Sequence, residues 1–408
     1  MRAIGLAAAG AVLAWLVVSK TLVAFLAANR PQAALWLSPG DPHALLNLAE
    51  ARFDPAAGTA HAEVRAMVRA WAETALAGDP VDARALRILG QVAHAGGDEA
   101  RARALMGAAG HRSVQDSWAA HWLLKDAYDR KDYVRALHYA DVLLRTRTQA
   151  LQQVLPVLGR MAETPEAVDG LEQLLAANPP WRRAFFSALP RAVTDARTPL
   201  RLLLAVRQTP DAPTLADIRE YVHLLVQHKL YELAYYAWLQ FLPASQLAGA
   251  GTLFNGGFEL VPSGLPFDWS IRGGKGATAG IAARPDRPGE RALLIALGPG
   301  RVDLAGAGQT LMLPPGVYRL QTRHRGELVG PRGLVWRIAC ADGGPPIGQS
   351  PMILGPAPVW TEMEVAFTVP ATGCRAQHLR LVLDARMPSE QLVSGKVWLD
   401  DVRIVRTE

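Results

Sequence analysis

The residues best able to do chemistry in this chain are arginines spaced two apart. Arg319, Gln321, Arg323 and Arg325 alternate with Tyr318 and Leu320 along residues 317–325. A period of two predicts a strand with its polar set on one face. Along 359–369 the outward set is Trp360, Glu362 and Glu364, against Met363, Val365 and Phe367. Along 378–385 it is His378, Arg380, Val382 and Asp384, against Leu379, Leu381 and Leu383. Arg337 joins them if Trp336 and Ile338 are core. If these strands share one sheet, arginines surround Trp360. Guanidinium forks suit carboxylates, and an indole face suits the apolar face of a sugar ring. Recognition of a glycan is one chemistry this allows, and an acidic exopolysaccharide would fit. A solvated face, or a surface that docks on the rest of the chain, would show the same pattern.

Reactive constellations are missing. There is no His-Glu-x-x-His and no Gly-x-Ser-x-Gly, and Gly273-Gly274-Lys275-Gly276 lacks the remaining residues of a phosphate loop. The ten histidines are scattered. Glu362 and Glu364 lie on one face, whereas a glycosidase pair must oppose across a cleft. The reading is a protein that is not an enzyme and requires no cofactor.

The elements that must position these residues change character near residue 250. Before it, apolar residues recur at helical spacing; after it, Gly/Pro turns separate short alternating runs. At 408 residues, two or three domains are expected. The fold class read here is multidomain: residues 1–30 a transmembrane anchor or signal segment, 31–250 an all-α helical-repeat domain, 251–408 an all-β jelly-roll sandwich. Residues 4–18 carry no charge and are followed by Lys20 and a second apolar stretch. As one helix, 3–28 rises about 39 Å, enough for a hydrocarbon core of about 30 Å. This predicts a single-pass inner-membrane protein with its bulk in the periplasm. A cleaved signal and a buried helix are the alternatives. Residues 31–251 carry 23 bases and 23 acids, which argues against a nucleic-acid-binding array.

Leu86, Leu89, Gly90, Ala93, Ala102, Met106 and Ala109 recur 34 residues later as Ala120, Leu123, Leu124, Ala127, Ala136, Ala140 and Leu143. Small residues sit where helices cross, and large ones fill the grooves. Over roughly 44–245 the pattern resembles tetratricopeptide-type solenoids. That resemblance implies a surface that holds protein partners. Trp181–Phe186, and the set Tyr231, Tyr235, Tyr236 and Trp238, read either as contact surfaces or as core.

The C-terminal part carries Asn255-Gly256-Gly257-Phe258-Glu259, Trp269, Gly316-Val317-Tyr318-Arg319-Leu320 and Leu399-Asp400-Asp401-Val402. These motifs resemble the jelly-roll carbohydrate-binding modules related to galactose-binding-like domains. The resemblance implies first and last strands side by side, often with a structural calcium that Glu259, Asp400 and Asp401 could ligate; the alternative is that these acids hydrogen-bond the strand ends without metal. Cys340 and Cys374 are the only cysteines. An exported chain would permit a bridge between them, and two buried thiols are the alternative. The combined expectation is an anchored periplasmic scaffold in envelope or exopolysaccharide assembly or export. Its repeats would recruit proteins and its jelly roll would contact glycan. The alternative is a purely structural interaction protein, with the jelly roll docked on the helices and no sugar ligand.

Overall fold

The computed structural model describes residues 2–53, 61–113 and 116–407. It divides into two compact units, 1–185 and 186–408. The first unit holds α1 (Arg2–Asn29), α2 (Pro31–Leu37), α3 (Pro42–Arg52), α4 (Ala62–Gly78), α5 (Ala83–Ala95), α6 (Glu99–Arg112), α7 (Ser117–Asp129), α8 (Tyr133–Thr146), α9 (Leu151–Ala162) and α10 (Pro165–Ala176). The division falls within α11 (Arg182–Ala188).

The first unit repeats itself in its caps. Asp82, Asp98, Asp116 and Asp132 each accept a backbone N–H at the start of α5, α6, α7 and α8. A capping carboxylate satisfies an orphan donor and contributes about 1 kcal/mol. The turns Gly97 and Lys131 hold φ of 81° and 62°, at equivalent places 34 residues apart. The small and large positions noted in the sequence are buried in both pairs; Ala102, Ala109, Ala136 and Ala140 are fully enclosed. Gly90 has a steric reason: a Cβ there would lie 3.0 Å from the Cγ of Met106. Arg87, 8% exposed, pairs with Glu50 of α3 and with Asp116 at 3.0 Å, tying three helices together. Trp181 is core, its Nε1 donating to Asp141 at 2.9 Å.

The anchor expectation is corrected here. Among the described residues no helix is long and apolar enough to cross a membrane. Ser19, Lys20 and Thr21 divide the apolar stretch of α1. Its C-terminal end is packed on its neighbours: Val23 and Ala27 are buried with Ala34 and Ala44, and Asn47 donates to the Ala27 carbonyl at 2.7 Å. The single-pass inner-membrane placement therefore does not stand.

The second unit continues with α12 (Thr198–Ala205), α13 (Arg219–Gln227), α14 (Tyr231–Phe241) and α15 (Ala244–Leu247). Ten strands follow: β1 (Ser270–Lys275), β2 (Ala277–Ala283), β3 (Arg291–Leu297), β4 (Asp303–Leu311), β5 (Gly316–Val329), β6 (Leu334–Cys340), β7 (Pro346–Gln349), β8 (Gly355–Val369), β9 (Gln377–Leu383) and β10 (Ser394–Arg406). They pair antiparallel in the order β7-β6-β9-β4-β1-β2-β3-β10-β5-β8. The ladder folds over between β1 and β2, where Gly274 pairs with Ala277. A Cβ at Gly274 would meet the Asp303 carbonyl at 1.8 Å, so only glycine allows that corner. The two halves enclose one core, in which Trp269 and Trp336 lie 5.9 Å apart.

The motif at 255–259, where the resemblance implies a first strand, forms a turn instead. Asn255 and Phe258 have φ of 54° and 56°, and the Asn255 side chain closes the turn on the backbone of Leu260. The turn still joins the module's start to its end, because Val402 N–H donates to the Gly256 carbonyl at 3.0 Å. Trp269 Nε1 donates to the Asn255 carbonyl at 2.9 Å.

Helix α14 packs directly on the sandwich. Tyr235 lies 5.1 Å from Phe267, and Trp238 lies 5.2 Å from Phe254 between ring centroids. Lys229 approaches Asp342 at 3.7 Å, and Arg375 lies 5.6 Å over the Tyr231 ring. The aromatic set on α14 is thus mainly interface, with only Tyr236 half exposed.

Cys340 and Cys374 form a disulfide, with Cα atoms 5.0 Å apart. It closes a loop of 34 residues. Replacing both cysteines with alanine should cost about 3–4 kcal/mol in the chain-entropy account. Chemical denaturation of the two forms measures this directly. A second expectation concerns acid. His223, His324 and His378 are held below the ordinary imidazole value of 6.5, chiefly by burial. Between their folded values and 6.5 the unfolded chain binds more protons, so stability present above 6.5 is lost as the pH falls through that window. Thermal melts from pH 7.5 to 5 should show a falling Tm, and a flat profile would contradict the assignment.

Candidate functional site

A groove of about 290 Å³ crosses β10, β5 and β8, lined by Gln321, Arg323, Glu362, Glu364, Asp401 and Arg403 among others. The alternation read from the sequence places Gln321, Arg323, Glu362 and Glu364 on one face, with Arg323 opposite Glu362 and Gln321 opposite Glu364. A register shift in β10 adds the other two. Asp400 pairs with Arg323 and Arg403 with Gln321, so Asp401 and Val402 together oppose Thr322. This bulge, with Asp401 at φ 51°, brings Asp401 and Arg403 to the groove.

The groove's arginines are already paired. Arg319, outside the lining, reaches the groove's Glu364 at 2.8 Å, and Gln321 donates to the same carboxylate at 2.8 Å. The hydrogen bond from Gln321 and the charge of Arg319 hold Glu364 below the usual carboxylate range. Arg323 binds Asp400 at 3.1 Å and Asp401 at 2.5 Å, and Arg403 approaches Asp401 at 3.3 Å. The face is therefore mixed in charge, not cationic. Donors and acceptors lie side by side along it, fixed by their neighbours before any ligand arrives.

Trp360 is not an open platform. The guanidinium carbon of Arg284 lies 4.7 Å from its ring centroid and that of Arg323 lies 5.1 Å away. Its Nε1 donates to Asp286 at 3.0 Å. Arg284, with 2% of its side chain exposed, also pairs with Asp286 and Glu290 at 2.8 Å and with Asp400 at 3.0 Å. Arg284 holds Asp286 well below the usual carboxylate range. Trp360 thus braces the arginine behind the groove, its ring shared with two guanidiniums. The sequence reading missed Arg284, Asp286, Glu290 and Arg403. Residues 284–290 read Arg-Pro-Asp-Arg-Pro-Gly-Glu, which signals a turn and nothing about what folds onto it.

The remaining expected residues do not join this face. Arg337 lies on β6 and Arg380 on β9, in the other half of the ladder from β5 and β8. Asp384 follows β9 and pairs with Arg337 at 3.1 Å and Arg332 at 3.6 Å. One sheet cannot present all of them together, because five strands stand between β9 and β5. Arg325 is opposite Trp398 and is not among the groove's lining residues. Among the described residues no group of three His, Cys, Asp or Glu side chains gathers as a metal ion would need. Asp400 faces two guanidiniums, Asp401 faces Arg323 and Arg403, and Glu259 accepts the backbone N–H of Arg291 at 3.0 Å. Two of these three carboxylates are turned toward guanidiniums, an arrangement that does not suit calcium.

Two further hollows flank β1 and share Ser270 and Arg272. One, of about 350 Å³, is lined by His223 and Val226 of α13 and by residues of β1, β4 and β9, including His378 and Arg380. The other, of about 520 Å³, includes Arg219, Trp269 and Arg291. Burial, then Arg219, lowers the His223 imidazole; burial, then Arg380, lowers His378.

No protein-family profile matches this chain, and no curated protein matches it. Among solved structures, the C-terminal family 22 carbohydrate-binding module of Clostridium thermocellum Xyn10B is 16% identical, covering 38% of this chain and 95% of its own, with a TM-score of 0.27. The CBM22-1 xylan-binding domain from Paenibacillus barcinonensis Xyn10C is 15% identical over 38% of this chain and 92% of its own, with a TM-score of 0.27. TmCBM61, determined with β-1,4-galactotriose, is 18% identical over 38% and 97%, also with a TM-score of 0.27. Likeness at these scores assigns no family. What the geometry itself establishes is a ten-stranded sandwich carrying a preorganised polar groove on β10, β5 and β8.

Proposed function

We propose that this is a carbohydrate-binding protein whose sandwich contacts saccharide in the groove over β10, β5 and β8. The observation that carries the reading is the lining itself: Gln321, Arg323 and Arg403 donate, and Glu362, Glu364 and Asp401 accept, within one hollow of about 290 Å³. A neutral sugar ring presents hydroxyls that both donate and accept, and such a lining satisfies both. The lining's two arginines are each held by a carboxylate, so a ligand need not bring its own charge. The helical region, of tetratricopeptide type by its 34-residue period, would serve as a surface for protein partners. The protein brings no reaction of its own in this reading. Calorimetry of the full chain against a panel of neutral hexasaccharides tests it. The double variant Q321A/E362A should weaken the best ligand about tenfold, at about 0.5–1.5 kcal/mol for each lost hydrogen bond. No heat with any neutral saccharide, or equal affinity in the variant, would overturn the proposal.

A second reading has its own observation. The ring cluster of Tyr235, Trp238, Phe254 and Phe267 makes α14 and the sandwich one compact body. In that reading the sandwich is a structural partner of the helices and takes no sugar.

A further inference from the structure

The two hollows flanking β1 share a chemical signature that the first groove lacks. Among the described residues no carboxylate lines either of them. Four exposed arginines do: Arg219 from α13, Arg272 from β1, Arg291 from β3 and Arg380 from β9. Among the described residues none of the four has an ion-pair partner, whereas Arg323 and Arg403 of the first groove are both paired. Glu259 meets Arg291 only at its backbone N–H. The hollows, of about 350 and about 520 Å³, lie side by side and share Ser270 and Arg272 in their linings. Unpaired guanidiniums spaced along a trough are a receptor for an extended anion, since each fork can take one carboxylate in bidentate fashion.

We infer that the trough between α13 and β1 binds an acidic polysaccharide, its carboxylates seated on Arg219, Arg272, Arg291 and Arg380. This rests on the carbohydrate-binding reading above, but it assigns charged saccharide to a second site and leaves neutral saccharide to the first. Helix α13, through Arg219, His223 and Val226, and the segment 261–264 wall these hollows against the strands. The site therefore belongs to the helix and the sandwich jointly. The sequence anticipated Arg380 only, and on another surface.

The experiment is calorimetry of the full chain with a hexauronate, with a neutral hexasaccharide and with inorganic phosphate, at low and high salt. The hexauronate should bind, more weakly as salt rises because exposed guanidiniums are screened. The double variant R272A/R380A should lose at least tenfold in hexauronate affinity, and R272K/R380K should recover part of it. These side chains are exposed, so unchanged melting of the variants shows that the fold is intact. Neutral hexasaccharide binding should be untouched in R272A/R380A. Hexauronate binding that ignores these arginines, absence of hexauronate binding, or phosphate binding as tightly as hexauronate would each overturn the inference. Loss of neutral binding in Q321A/E362A would leave the first reading standing in every one of those cases.

Discussion

Replacing Arg284 with methionine should destabilise the sandwich unit by about 3–5 kcal/mol, the cost of removing one partner from a buried ion pair. Arg284 pairs with Asp286, Glu290 and Asp400, and the Asp400 side chain is only 4% exposed. Without Arg284, Asp400 keeps a single guanidinium, that of Arg323 at 3.1 Å. A buried carboxylate then lacks the charge that offset its desolvation. The same change removes one of the two guanidiniums from the Trp360 ring and leaves Arg323 as the other. Guanidinium denaturation reads the loss. Adding Asp400→Asn should return part of it, because the stranded charge is gone, and a double-mutant cycle isolates that coupling. A loss below about 1 kcal/mol for Arg284→Met would show that the network is solvated and contributes as a surface pair does.

The second large effect belongs to Trp238. It is 1% exposed and packs on Tyr235, Phe254 and Phe267. Trp238→Ala should cost about 3–5 kcal/mol through the cavity it leaves. It should also divide one transition into two, as α12 to α15 melt away from the strands. Its Nε1 has no hydrogen-bond partner among the described residues. Trp238→Phe should therefore cost far less, since it keeps the ring and removes an orphaned donor. A single unchanged transition in Trp238→Ala would mean that α14 is not fastened to the sandwich by this cluster.

How much of this could be read from the chain depends on the range of the interactions. Strand alternation is a local signal, and it placed Gln321, Arg323, Glu362 and Glu364 on one face, as the register shows. Buried small residues in the helices were legible for the same reason, as Ala102 and Ala136 illustrate. Pairing order is not local. Nothing in residues 334–341 or 378–385 tells which half of the ladder they join, so alternation alone groups Arg337 and Arg380 with strands they do not pair with. The bulge at Asp401 and the fold-back of Arg284 onto Trp360 arise from contacts more than 70 residues apart in the chain. A face that read as basic became neutral once Asp400 and Asp401 arrived from the last strand. The N-terminal helix shows the opposite error. Its composition suggested lipid, but Val23 and Ala27 are buried against protein.

The central claim is that the groove over β10, β5 and β8 receives saccharide. Hydrogen–deuterium exchange of the full chain, with and without a saturating neutral hexasaccharide from the panel, reads it segment by segment. The account predicts slower exchange over 321–323, 362–364 and 401–403, with the face around Arg337 and Asp384 unchanged. Exchange that is the same in those three segments with every saccharide tried would contradict it.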